Sequence, residues 1–398
     1  MTTPRDNAPG RGSMLALISV SELLCMTLWF TASASSQHLA TQWQLSAGQT
    51  AWLTMAVQLG FVVGTAAAAI LNVADIVSSK HYFAVCGLAA AAVNAALLWA
   101  PGYGAALALR LATGVLLAGV YPPAMKMAAT WFRSARGLAI GTVVGALIVG
   151  KAAPYLILAF DDRFETVIQL SSAGAAFGAL LMFGLYRDGP YAFSRQPFSW
   201  QLAAVAWRHR ETRLAIGGYL GHMWELYAMW TWIPAFLVAS FAAYETRAGV
   251  ELGGWVGGFV AFGSIAAGGL GSLLGGLCAD RIGRGRVVNL SMAVSGACCL
   301  LIGPFFGAHP ALLVPLVLVW GFSVVADSAQ FSAMVTEVAP SHAVGTALTL
   351  QTSFGFLLTL VTIQAVPLIE AHLGWAWAFP LLSLGPIAGI AAIRRLAD

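Results

Sequence analysis

The chain has 398 residues and a net charge of +4; 59% of it is hydrophobic and only 9% charged. A soluble domain carries about 25% charged residues, so there is too little polar surface here to cover a globule in water, and lipid must be the outer solvent. The small positive charge gives no sign of a nucleic-acid partner, and none is expected.

A bilayer-crossing helix needs about 20 mostly apolar residues. The stretches 14–35, 51–74, 82–100, 104–125, 138–160 and 168–186 meet that requirement. So do 213–241, 253–278, 287–306, 311–335, 343–368 and 374–393. All are too long for barrel strands and lack strand alternation. The prediction is an all-α membrane protein with twelve transmembrane helices. Its polar start, Met1 to Ser13, leads straight into the first span with no signal-peptide cleavage pattern. Between spans six and seven lies the longest polar stretch, 187–212, with Pro190 and Pro197. It reads as a linker between a 1–186 bundle and a 213–398 bundle, and Trp200 and Trp207 suit part of it to the membrane interface. Five cysteines sit in or beside apolar spans without metal-ligand spacing. They read as small buried hydrophobes, and neither a metal nor a cofactor is expected.

Charge sets the expected orientation. With the N-terminus in the cytoplasm and twelve alternating spans, 16 Lys/Arg fall inside and only Arg163 and Arg247 outside, while the acids show no such bias. That is the positive-inside pattern, and it puts both termini in the cytoplasm.

The halves repeat each other. Glu22, Leu23, Met26 and Trp29 in span one match Glu225, Leu226, Met229 and Trp232 in span seven at an offset of 203 residues. Ala74-Asp75 after span two matches Ala279-Asp280 after span eight at an offset of 205. Near-equal offsets argue for a duplicated six-helix unit in parallel orientation. Such repeats place a solute site between the halves near the midplane. After span eight runs Gly275-Gly276-Leu277-Cys278-Ala279-Asp280-Arg281-x-Gly283-Arg284-x-Arg286.

That run resembles the conserved cytoplasmic motif of the major facilitator superfamily, and the whole chain is similar to that family. The copy after span two keeps Asp75 but loses the Arg and Gly residues. The resemblance implies two pseudo-symmetric six-helix bundles, with gating at Asp280, Arg281, Arg284 and Asp75. Arg110-x-x-x-Gly114 in span four is similar to an Arg-bearing motif tied to proton coupling in some members. Gly141, Gly145, Gly150 and Pro154 in span five partly resemble the antiporter motif, with Ala146 where that motif has Pro. The stretch from Tyr121-Pro122-Pro123 to Pro154 loosely resembles bacterial nitrate and cyanate carriers, which implies a bacterial inner (plasma) membrane. Those nitrate carriers use an arginine in spans two and eight, and this chain has none there, so nitrate is not predicted.

Buried ionisable groups carry the functional signal, because each costs about 2.5–3.5 kcal/mol at a helix centre. Five stand inside spans: Glu22, Arg110, Lys151, Glu225 and Asp327. All but Lys151 lie on spans one, four, seven and ten, which line the central cavity in the family. Glu22, Met26 and Trp29 share a helix face, as do Glu225, Met229 and Trp232. The expectation is a watery hollow shared by Glu22, Arg110 and Glu225. Glu22, Glu225 and Asp327 are the candidate proton groups. Arg110, Lys151, Tyr121, Trp29 and Trp232 are the candidate solute contacts. His222, three residues before Glu225, would either share its proton or simply be packed. The partners read from this are a small-molecule solute, protons and membrane lipid, with the protein a monomer. Proton-linked transport of a small polar or anionic solute leads. Multidrug efflux is the alternative; a membrane receptor or enzyme finds no catalytic cluster and no HExxH spacing.

Overall fold

The computed structural model describes residues 8–132, 136–191 and 199–397; among them every regular element is a helix and none is a strand. Among the described residues, ten helices are long and apolar enough to cross a membrane.

The first segment is α1 (Arg11–Met26), α2 (Thr31–Ala34) and α3 (Ser36–Trp43), separated at 27–30 by irregular backbone. Next come α4 (Ala47–Ile70), α5 (Val73–Ile76) and α6 (Ser79–Ala95). Ser46 and Gln49 cap α4 reciprocally, which satisfies two donors the helix itself leaves free. α7 (Tyr103–Leu117) and α8 (Tyr121–Trp131) are parts of one long segment interrupted at 118–120. Pro122 stands in the first turn of α8, where a missing N–H costs nothing. α9 (Arg136–Phe160) and α10 (Phe164–Leu185) complete the first half of the chain.

In the expected linker, α11 (Trp200–Arg208) is a short helix. Its Trp207 packs edge-on against Phe354. α12 (Arg210–Ala248) is a continuous helix of 39 residues in spite of Pro234. There follow α13 (Trp255–Ile282), α14 (Arg284–Leu301), α15 (Pro310–Ala326), α16 (Ser328–Val338), α17 (Val344–Leu373), α18 (Trp375–Ala378) and α19 (Leu384–Ala397). Two of the twelve expected stretches fall short as single helices. α1 stops after 16 residues, and α14 has 18 and opens on Arg284 and Arg286.

Broken helices at membrane depth need protein partners for the freed backbone groups. The breaks at 27–30, 118–120 and Asp327 therefore mark places where side chains have work to do. Close backbone crossings hold these segments in place. A Cβ on Gly150 would lie 2.3 Å from the Leu23 carbonyl oxygen, so only glycine lets α9 press on α1 there. The crossing sets Lys151, the residue after Gly150, beside Glu22, the residue before Leu23. Across the chain halves, a Cβ on Gly269 would stand 3.1 Å from the Gly145 oxygen, so α13 and α9 meet backbone to backbone.

Candidate functional site

The aromatic centre forms where α1, α4, α9, α12 and α17 converge. Trp29 sits at the break in the first segment, with ring centroids 5.3 Å from Phe61, 6.0 Å from Tyr227 and 5.9 Å from Phe356. Trp230 meets Tyr227 at 5.2 Å and Phe30 at 6.2 Å, and Phe30 meets Tyr155 at 6.3 Å. Beside Phe61 and Phe356, one helical turn away, Thr359 donates to Gln58 Oε1. The wall thus draws on both halves of the chain.

Lys151 occupies this aromatic enclosure. Its ammonium lies 3.7 Å from the Trp29 ring centroid, 4.9 Å from that of Tyr227 and 5.6 Å from that of Trp230. It donates a 2.6 Å hydrogen bond to the Tyr227 hydroxyl. Ring faces attract a cation, by about 2 kcal/mol or more once water is gone. With 2% of its surface exposed, Lys151 is out of water's reach. Glu22 is fully buried and neither carboxyl oxygen has a hydrogen-bond partner. It lies within Coulombic reach of Lys151 and Tyr121, yet among the described residues no ion pair joins it to Lys151. A buried carboxyl without partners is costly unless neutral or paired.

Arg110 is placed differently. Its Nη2 donates to the carbonyls of Leu28 (3.0 Å) and Trp29 (2.5 Å), its Nη1 to Thr31 Oγ1 (3.1 Å) and Asn94 Oδ1 (3.0 Å), and its Nε to the Leu53 carbonyl (3.4 Å). Among the described residues no backbone N–H reaches the Leu28 or Trp29 carbonyl. The guanidinium has five N–H donors, and all are spent. Asn94 Nδ2 carries the network on to Ser172 Oγ at 3.0 Å. A cation just beyond the C-terminus of α1 also suits the helix dipole.

Glu225 has its own pocket within the second half. Trp320 Nε1 donates to Oε1 at 2.5 Å, Cys299 Sγ to Oε1 at 3.2 Å and Ser295 Oγ to Oε2 at 2.8 Å. One turn earlier, His222 Nδ1 stands 2.9 Å from Asp327 Oδ1 at the α15–α16 break, off the line of a hydrogen bond. Both side chains are buried, and the His222 ring packs against Tyr219 and Phe331.

The expected hollow shared by Glu22, Arg110 and Glu225 is not what the structure has. Arg110 and Glu225 are each consumed by separate networks, and packed rings fill the centre. Glu22, Lys151 and Trp29 do come together, with Tyr121 close by. Trp232 lies elsewhere: its Nε1 donates at 2.8 Å to the Ile363 carbonyl, whose helical donor is missing because residue 367 is proline. Asp280 and Arg281 are exposed. Arg284 reaches α16, with Nε 2.8 Å from Glu337 Oε1 and Nη1 2.9 Å from Gln330 Oε1. Asp75 falls on α5, but its side chain lies outside the described residues. The sequence reading missed Tyr227, Phe61, Phe356 and Gln58. Tyr227 follows the flagged Glu225 by two residues, but its bond to Lys151 spans 76 residues and leaves no local signal.

A bundle of apolar helices, broken at membrane depth and converging on a buried lysine and carboxyl, is a multi-pass membrane protein of the carrier class. The family model described as Major Facilitator Superfamily matches residues 18–357, and the chain belongs to that superfamily. It is thus a secondary transporter for small molecules, and not an enzyme. In fold it is similar to a mutant of the nucleoside transporter NupG seen in a crystal structure, with a TM-score of 0.74, 15% identity and coverage of 98% of this chain and 100% of that one. Comparison of the sequence with curated proteins finds no match.

Proposed function

We propose that the chain is a proton-coupled carrier of a small polar or anionic solute, working by alternating access. In this reading twelve spans form two six-helix bundles, 1–186 and 213–398, joined by the linker 187–212. The protein sits in a bacterial inner membrane as a monomer with both termini in the cytoplasm. One observation supports it most: an unpartnered carboxyl, Glu22, beside a buried ammonium, Lys151, whose aromatic enclosure is built from both halves of the chain. Rocking of the halves separates Lys151 from Tyr227 and Trp230, and frees the ammonium for an anionic group. Glu22 carries the proton. Tyr121 and Trp29 border the solute, while Arg110 holds the Trp29 backbone in place. Glu225 and the His222–Asp327 pair are reserve proton groups in the second half. Arg284, tied to α16, acts with Asp280, Arg281 and Asp75 at the cytoplasmic gate.

The test is flux into liposomes holding the purified protein. An inward acid gradient is expected to drive accumulation of an anionic solute, and Glu22→Gln to abolish that accumulation while the protein still folds. Accumulation that ignores the gradient removes the proton role. A second reading, efflux of lipophilic cations, is favoured by the ring faces that already hold a cation at Lys151. Gradient-driven export of cationic dyes, with no movement of anions, would establish it instead.

A further inference from the structure

We propose that the solute is a planar aromatic monocarboxylate, bound with its carboxylate between Lys151 and protonated Glu22 and its ring among Trp29, Tyr227 and Trp230. This rests on the carrier reading above and narrows it to a substrate class.

The charge at the centre admits one anionic group. Lys151 is the cation there, since every N–H of Arg110 is already donated. A second negative charge on the solute would find no partner and would face Glu22. The unspent hydrogen-bonding capacity points the same way. Trp29 Nε1, Trp230 Nε1 and Gln58 Nε2 are buried without partners. All three are donor groups, so a fitting ligand must bring acceptor oxygens. The walls decide the rest. Trp29, Phe61, Phe356, Tyr227 and Trp230 pack on one another at 5.1–6.0 Å between centroids; parted by the rocking of the halves, they offer faces and edges that favour a flat π-system over a bulky saturated ring.

Glu22 then couples proton to solute by simple chemistry. As a carboxylate it repels the incoming anion. As a carboxylic acid its O–H donates to one carboxylate oxygen while the Lys151 ammonium donates to the other. Solute and proton enter together, one of each, and the cargo carries no net charge.

The experiment uses the full-length protein with benzoate, 1-naphthoate, cyclohexanecarboxylate, acetate and benzylammonium as probes. Thermal unfolding in detergent reads binding, and radiolabelled benzoate in liposomes reads flux. Benzoate and 1-naphthoate are expected to raise the unfolding midpoint, more so at lower pH, and cyclohexanecarboxylate to bind about ten-fold more weakly. Trp29→Phe and Trp230→Phe keep a ring but lose the N–H, and each should weaken benzoate binding about ten-fold. Benzoate uptake should follow an inward acid gradient and be indifferent to an imposed membrane potential. Equal binding of acetate, cyclohexanecarboxylate and benzoate overturns the aromatic class and leaves the anion carrier standing. Binding of benzylammonium alone overturns both. No shift with any acid overturns the proposal, as does wild-type benzoate affinity in both tryptophan variants. Lys151→Met should abolish binding; if it does not fold, the tryptophan variants decide.

Discussion

Glu22 and Glu225 occupy matching places in the sequence repeat and opposite physical situations. Glu225 accepts three hydrogen bonds, from Ser295, Cys299 and Trp320. Glu22 accepts none. Both are buried to within 1%, so burial alone does not separate them. What differs is the neighbourhood. Around Glu225, α14 and α15 supply donors within the same half of the chain. Beside Glu22, α9 brings a lysine that bonds across to the other half instead. A satisfied carboxylate is a structural anchor, and removing it strands its donors. An unsatisfied one keeps its capacity for a proton or a ligand. The same contrast divides Trp29, whose N–H is free, from Trp232, whose N–H is spent on the carbonyl that Pro367 exposes.

Six substitutions test this contrast. The largest effect is expected from Glu22→Gln, which should reduce acid-gradient-driven accumulation in liposomes to the level of protein-free vesicles. Glu225→Gln should retain a measurable part of it, and equal losses in the two variants would erase the distinction between the two carboxyls. For stability the order reverses. Arg110→Ala takes one donor from each of five acceptors, among them two carbonyls with no backbone partner, of which only Leu28's has a second side-chain donor, Thr31 Oγ1. It should cost about 4 kcal/mol, read as a fall in the unfolding midpoint or as loss of folded protein on purification. Arg110→Lys keeps the charge but not the five-donor reach, and should recover only part of that loss. Glu225→Ala strands three donors and should cost about 3 kcal/mol, whereas Glu22→Gln should leave the stability within about 1 kcal/mol of wild type. The smallest effect is the control. Arg163 donates hydrogen bonds to Asp161 and holds that carboxyl well below the usual carboxylate range. Arg163 is exposed and Asp161 partly so, and Asp161→Asn should move neither flux nor midpoint measurably.

Much of this architecture could be read directly. Apolar stretches of span length identify the membrane helices, because hydrocarbon tolerates little else. Rare charges within them point to Glu22, Arg110, Lys151, Glu225 and Asp327, and all five are buried. The helix breaks at 27–30 and at Asp327 were not legible. Neither carries a proline, and both depend on partners far away in the chain: Arg110 for the first, His222 beside the second. The pairing of His222 with Asp327 spans 105 positions, and nothing near either residue announces it.

What the amino-acid order settled by itself was the solvent, the helices, the family and the short set of ionisable side chains that oil tolerates. Hydropathy and charge act locally along the chain, so they survive in a linear reading. What only the packed molecule decided was which of those groups are spent and which remain available. Hydrogen-bond partners of a buried side chain come from other helices, brought within 3 Å by crossings such as Gly150 on Leu23. Two glutamates with the same sequence surroundings thereby received different chemistry.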